Sequence, residues 1–492
     1  MNMIKVTAAL FAGGITVTCG FASEPALKHS DVVFMYASSE EAYKAYGATF
    51  VAWGGADTEE RVRWHHDLGV RCTGSMWCLT AGAKLIHERP EIRAACAVDI
   101  EGNPVEVPWL FDHTHEGTKS YFGCTNHPEF RRLCRERVEQ CMKGGADGLH
   151  VDDHLGVAQA AWNFGGGLCD HCITAFRGYL ERKVSPEELR AAGVEDVATF
   201  DYRDIIRKHA TTRAEYQKIQ RQIPLMDRFL EFHVEAAADH VKLLGEIAEK
   251  TAGRPVLLSA NAGIPQKLHT YVVKNLTHVV CEVGQNAAKG TQAIDHAVEA
   301  YAMADALGRP MASTASGWDW AFIKANDRET LVRFWIALAY AHGQRFMVPH
   351  PKRQWCFTKE LGTHLYEAPI DAYAPLYRFV RANAASLDGY EAVAAEGIRT
   401  ADRTRVAVRR NPATGSLVLH MLNLNYVADE DRMLSSHDVS IRIPASLVSS
   451  NARFAQVLSY DADPIRVPIL RAADECEIVV PELRLWSLVA VE

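Results

Sequence analysis

The sequence predicts an α/β protein, a (β/α)8 TIM barrel followed by a C-terminal all-β sandwich domain. Three observations carry this. Eight short apolar runs are each followed by polar or Gly-rich residues and then by a helical stretch, the alternation of a parallel sheet. The first run ends in Tyr36-Ala37-Ser38-Ser39 and not in the Gly-rich phosphate loop that an open doubly wound sheet usually carries there. After Asn383-Ala384-Ala385 the pattern changes to short alternating strands separated by polar turns.

The eight runs lie at residues 31–37, 48–53, 70–77, 148–152, 255–261, 278–282, 310–316 and 345–349. Between them, segments such as 129–143 and 226–250 place apolar residues at helical spacing and are closed by Gly or Pro, as crossovers between parallel strands require. Long inserts at 79–121 and 154–225 follow the third and fourth strands, and loops of that size at the C-terminal end of a barrel shape a binding site. In the last part, strands are expected at 406–410, 416–422, 438–443, 454–458, 477–480 and 485–491, with a hairpin turn at 411–415 and with Pro444 and Pro481 at strand edges. The expected division is a leader at 1–22, a barrel at 23–385 and a sandwich at 386–492.

With 48% hydrophobic and 23% charged residues the 492-residue chain is globular, and a formal charge of -8 argues against a nucleic-acid partner, which would need a clustered basic surface. Lys5 followed by an apolar stretch and then by small residues around Gly20 and Ala22 has signal-peptide architecture, so export to the periplasm or medium is expected. A lipid anchor at Cys19 is disfavoured by Thr16-Val17-Thr18 before it, and no other stretch is apolar enough to span a bilayer. Of twelve cysteines, eleven lie beyond the leader, an odd number without the density of a disulfide framework. Cys169-Asp170-His171-Cys172 is the one tight pair, and with Cys124 it could bind zinc or form a disulfide.

Reacting groups in a barrel stand at the C-terminal ends of strands. The fourth strand ends Gly148-Leu149-His150-Val151-Asp152-Asp153-His154, and alternation puts His150, Asp152 and His154 on the mouth side, with Asp153 turned away as a hydrogen-bond partner or helix cap. The sixth ends Val279-Val280-Cys281-Glu282-Val283-Gly284-Gln285, where apolar neighbours would keep the Glu282 carboxyl desolvated and protonated. Two carboxyl groups facing one cleft suit glycosidic cleavage, in which one protonates the leaving oxygen and the other attacks the anomeric carbon or activates water. A carbohydrate ligand is therefore expected, with no cofactor and no metal at these carboxylates. Asn261, Trp53, Trp77, Trp318, Asp319 and His350 fall near strand ends as candidate sugar contacts, the indoles by stacking; Asp319 is also an alternative acid, and Arg353 an orienting group.

The segment 148–152 resembles the strand-four motif of retaining α-glycosidases, whose Asp is the nucleophile. That resemblance implies Asp152 as nucleophile and Glu282 as acid/base. Asn126-His127-Pro128-Glu129-Phe130, Gly145-Ala146-Asp147-Gly148 and Cys169-Asp170-His171-Cys172 before Phe176-Arg177-Gly178-Tyr179-Leu180 resemble glycosidase-like barrels related to the β-galactosidase trimerisation families. The ending at 480–486 is similar to the closing strands of the β-sandwich appended to such enzymes. His150 stands where the amylase-like pattern has Arg, which leaves the anomeric specificity open. Asp152-x-His154 also resembles an inverting sialidase-type barrel in which an Asp-supported His154 is the base, although only Glu40 or Glu41 stands near the end of the first strand, where that family has Asp. Two further readings stay open: a metal-dependent hydrolase with His150, Asp152, Asp153 and His154 as ligands, and a non-catalytic carbohydrate binder.

Overall fold

The structure, a computed structural model, describes residues 26–76, 80–264, 266–394 and 396–491. The expected leader with Cys19, and Trp77, lie outside the described residues. Eight parallel strands form the core of the first domain: β1 Val33–Tyr36, β2 Phe50–Trp53, β3 Arg71–Met76, β4 Gly148–Val151, β5 Leu257–Ala260, β6 Val279–Val283, β7 Met311–Ala315 and β8 Arg345–Phe346. Ladders run without interruption from β1 to β5 and from β6 to β8. Parallel bridges between Asn261 and Val280, and between Phe34 and Val348, join the two arcs into a ring. All eight apolar runs of the sequence are strands of this barrel.

Alternation divides the side chains. Val33, Met35, Phe50, Ala52, Leu257, Val280, Ala312 and Met347 form one cluster that fills the barrel. Their neighbours Phe34, Val51, Cys72, Leu149, Leu258 and Val279 join the larger core packed under the helices. Glycine is required at Gly148, where a Cβ would sit 2.4 Å from the Leu257 carbonyl oxygen. The insert after β4 builds its own helical cap. Phe176, Tyr179, Tyr202, Phe229 and Phe232 cluster between the helix Asp170–Lys183, the short helices that follow and the 27-residue helix Met226–Ala252.

The second domain is a nine-stranded antiparallel sheet folded into two layers. Ala462–Arg471 makes the fold: residues 462–468 pair with Phe454–Ser459, and residues 469–471 pair with Glu475–Leu483 in the other layer. Leu419, Met421, Ile441, Ile443, Ile478 and Val480 fill the space between. This strand is absent from the sequence reading, and only two of its ten side chains are buried, so no apolar alternation marks it. The domain is fixed to the barrel by Trp486, buried against Phe379 and Tyr340, and by the Arg409–Asp305 ion pair at 3.1 Å.

Candidate active site

β6 carries Val280 into the barrel, so two residues later Glu282 also points inward, at the C-terminal mouth. Burial pushes its carboxyl up to about 7, and the negative charge of Asp152 adds to the effect. The Asp152 charge is therefore felt at Glu282, although Asp152 is not among the residues that line the cavity onto which Glu282 opens. The phenol of Tyr36, at the end of β1, is held protonated by burial and then by the charges of both Asp152 and Glu282. The guanidinium of Arg353 lies over the Tyr36 ring, 5.6 Å from its centre, and donates to the Ala37 carbonyl.

Strand four ends earlier than the sequence reading requires. β4 stops at Val151, and the chain turns through Asp153, whose φ of 41° lies in the left-handed region. Alternation therefore does not continue past Asp152. The carboxylate of Asp152 is oriented by Asn261 Nδ2 at 3.2 Å and by the backbone amide of Asp153 at 3.0 Å. Asp153 is not turned away from the mouth: together with His154, Asn261, His269, Gln159 and Glu282 it lines a cavity of about 200 Å³, walled by Trp109 and Phe122.

His154 is 1% exposed, and its Nδ1 is paired with the Asn261 carbonyl at 2.9 Å. Its Nε2 has no hydrogen-bond partner, nor does Nδ1 of His269, whose ring centre is 5.0 Å away. Burial keeps both rings neutral, with the proximity of His269 adding to the effect at His154. The site thus offers a carboxyl group whose protonated form is favoured by burial, a hydrogen-bonded carboxylate and two buried imidazole nitrogens that can bond a hydroxyl-rich ligand.

The other candidates are dispersed. His150 is fully buried, bonded to Ser259 Oγ at 2.9 Å and in edge contact with the half-buried ring of Trp53, so it supports the floor of the site from below. Asp319 is buried on the helix Gly317–Asn326, where it accepts from the amides of Gln285 and Ala287 and from Ser316 Oγ, and so ties down the loop that follows β6. His350 is buried, bonds the Ala37 carbonyl and accepts from the amides of Lys352 and Arg353. Trp318 is half exposed, edge-on to Phe357. Among the described residues, ligand atoms suited to a metal come together in Cys124/Cys169/Cys172, His66/Cys72/Asp147 and His87/His115/Glu116, and not in the strand-four set of His150, Asp152, Asp153 and His154.

Sequence reasoning missed Tyr36, Trp109, Gln159 and His269. Tyr36 was accessible as a strand-end residue. The others come from loops and helices whose approach to the mouth is a tertiary property. Larger cavities of about 680 and 950 Å³ exist, and neither is lined by Asp152 or Glu282.

No protein-family model matches the chain. Over 307 residues it is 24% identical to an α-agarase of Alteromonas agarilytica and 23% identical to one of Thalassotalea agarivorans, in each case across 61% of this chain. The chain spans about a fifth of the length of these curated relatives. Among solved structures it is similar to an α-amylase of Geobacillus thermoleovorans complexed with acarbose (TM-score 0.53, 7% identity, 94% of this chain and 98% of that one). It is also similar to the maltogenic α-amylase AmyB of Thermotoga neapolitana (TM-score 0.50, 11% identity, 94% and 98%) and to an α-L-fucosidase of Paenibacillus thiaminolyticus (TM-score 0.50, 10% identity, 95% and 100%). Ring closure, the appended β domain and these structural likenesses together establish that the chain has a (β/α)8 TIM-barrel fold with a C-terminal β domain.

Proposed function

We propose that the chain is a glycosidase that cleaves a glycosidic bond of an exported or environmental glycan, with Glu282 as acid/base and Asp152 as nucleophile. The observation that carries this is the Glu282 carboxyl, raised to about 7 at the mouth of the barrel beside the charge of Asp152. A general acid must hold its proton at working pH, and its partner must be ionised; two carboxyl groups in different surroundings supply both states. Asn261 and the Asp153 amide hold the Asp152 carboxylate by hydrogen bonds, whereas the walls around Glu282 penalise charge. The likeness to two α-agarases supports a galactan of the agar type as the first substrate class to test. We place the leader, the barrel and the β domain at 1–22, 23–385 and 386–492, and take the protein to be exported. Among the described residues no helix is long and apolar enough to cross a membrane.

The retaining course is tested by Asp152→Asn and Glu282→Gln on agarose and neutral galactan oligosaccharides. Each variant should lose at least about 10³-fold in turnover while still binding the oligosaccharide. Added azide should restore turnover of Asp152→Asn only if the second carboxyl group attacks carbon directly, and products of the native enzyme should keep the anomeric configuration. An inverted product would favour the inverting reading with His154 as base, since its Nε2 is bare, neutral and in the same cavity as Glu282. In that case the ring is supported at Nδ1 by the Asn261 carbonyl. Full activity of both variants would remove the assignment.

A further inference from the structure

Away from the carboxylates, three thiols meet. Cys124 follows the short strand Tyr121–Phe122 in the insert after β3, while Cys169 caps the helix Asp170–Lys183 in the insert after β4 and Cys172 stands in its first turn. Cys124 and Cys172 are fully buried and Cys169 half-buried. The Sγ–Sγ distances are 3.5 Å (Cys124–Cys169), 3.4 Å (Cys124–Cys172) and 3.5 Å (Cys169–Cys172).

We propose that Cys124, Cys169 and Cys172 bind one zinc ion that clamps the β3 and β4 inserts together. The geometry separates this from a disulfide. A disulfide draws two sulfurs to about 2.05 Å and leaves a third apart. Here the three edges are equal within 0.1 Å, so no pair is preferred. An equilateral triangle of this size has its corners about 2 Å from its centre, so an ion at the usual Zn–S length of about 2.3 Å sits about 1 Å above the plane. That is the base of a tetrahedron with one open corner. The C-x-x-C spacing on a helix N-terminus aims Cys169 and Cys172 to one side, and Asn126 Nδ2 donates to Cys172 Sγ at 3.4 Å, a contact suited to a thiolate. Among the described residues no imidazole nitrogen lies within 4.8 Å of all three sulfurs, so the fourth corner falls to water. Three thiolates without a fourth fit a single borderline-soft ion better than an iron–sulfur cluster, which takes four. On binding, each thiol still protonated releases its proton to buffer, and no electron is transferred.

The clamp joins Cys124 to thiols 45 and 48 residues further on and holds the start of the helical cap against Phe122, a wall of the 200 Å³ cavity. It does not depend on the glycosidase reading. The test uses untagged full chain purified with and without added zinc sulfate. Metal analysis should give about one zinc per chain, resistant to dialysis and released by a thiol-blocking mercurial. Chelation should lower the Tm and expose three further thiols to alkylation, without any reductant. Cys124→Ser should bind zinc at least about 100-fold more weakly; should that variant not fold, the metal and thiol counts on the native chain decide alone. A zinc-free native protein that takes up none, or a thiol count short by two until reductant is added, overturns the proposal.

Discussion

Glu282→Gln separates the acid/base role from mere placement, without requiring a substrate. The native Glu282 pKa is about 7, against 4.5 for the unperturbed side chain. A folded pKa above the unfolded one means that the native state holds the proton longer. The stabilisation from this proton is complete below pH 4.5 and is lost as pH rises through 7. A shift of about 2.5 units at 1.36 kcal/mol each makes the loss about 3 kcal/mol. The glutamine variant mimics the protonated form and carries no such loss. Urea unfolding of both proteins at pH 4.5 and pH 8.5 should therefore show the variant gaining about 3 kcal/mol on the native chain between the two conditions. Titrating groups not coupled to Glu282 cancel in that difference, as does any fixed cost of the amide. A gap that stays constant within about 1 kcal/mol would refute a raised Glu282 and remove the main support for its role as acid. Asp152→Asn should reduce the pH dependence in part, because the Asp152 charge is the second cause of the shift and burial the first.

Asp319→Ala strips the acceptor from two buried amides and from Ser316, and should cost about 2–4 kcal/mol in urea unfolding. Its activity should fall through a displaced β6 loop. His269→Ala removes one bare imidazole from the cavity lining and should lower kcat/KM on an oligosaccharide by about 10-fold or more, with the unfolding midpoint moved by less than its activity; unchanged kcat/KM would exclude a ligand contact there. Gly148→Ala drives a methyl to 2.4 Å from the Leu257 carbonyl and should break the β4–β5 register, seen as loss of the cooperative unfolding transition.

The barrel was legible because its strands are buried on both faces and stand out as apolar runs; all eight are found, with ends shifted by at most three residues. Local sequence also placed Asp152 and Glu282 at strand ends, since a carboxylate closing an apolar run has few places to go but the mouth. It did not show that β4 stops at Val151 and turns through a left-handed Asp153, where the Asp152 carboxylate accepts from Asn261, a residue just past β5 and far away in the chain. Nor could it show the helix carrying His269 approaching His154, or the thiol of Cys124 meeting two others 45 and 48 residues further on. The exposed strand Ala462–Arg471 was hidden for the converse reason, since most of its side chains face solvent and only backbone pairing defines it. Periodicity records which residues are buried, and so determined the elements; distances between side chains far apart in the chain, and the burial that sets the Glu282 proton, exist only once the ring of strands has closed.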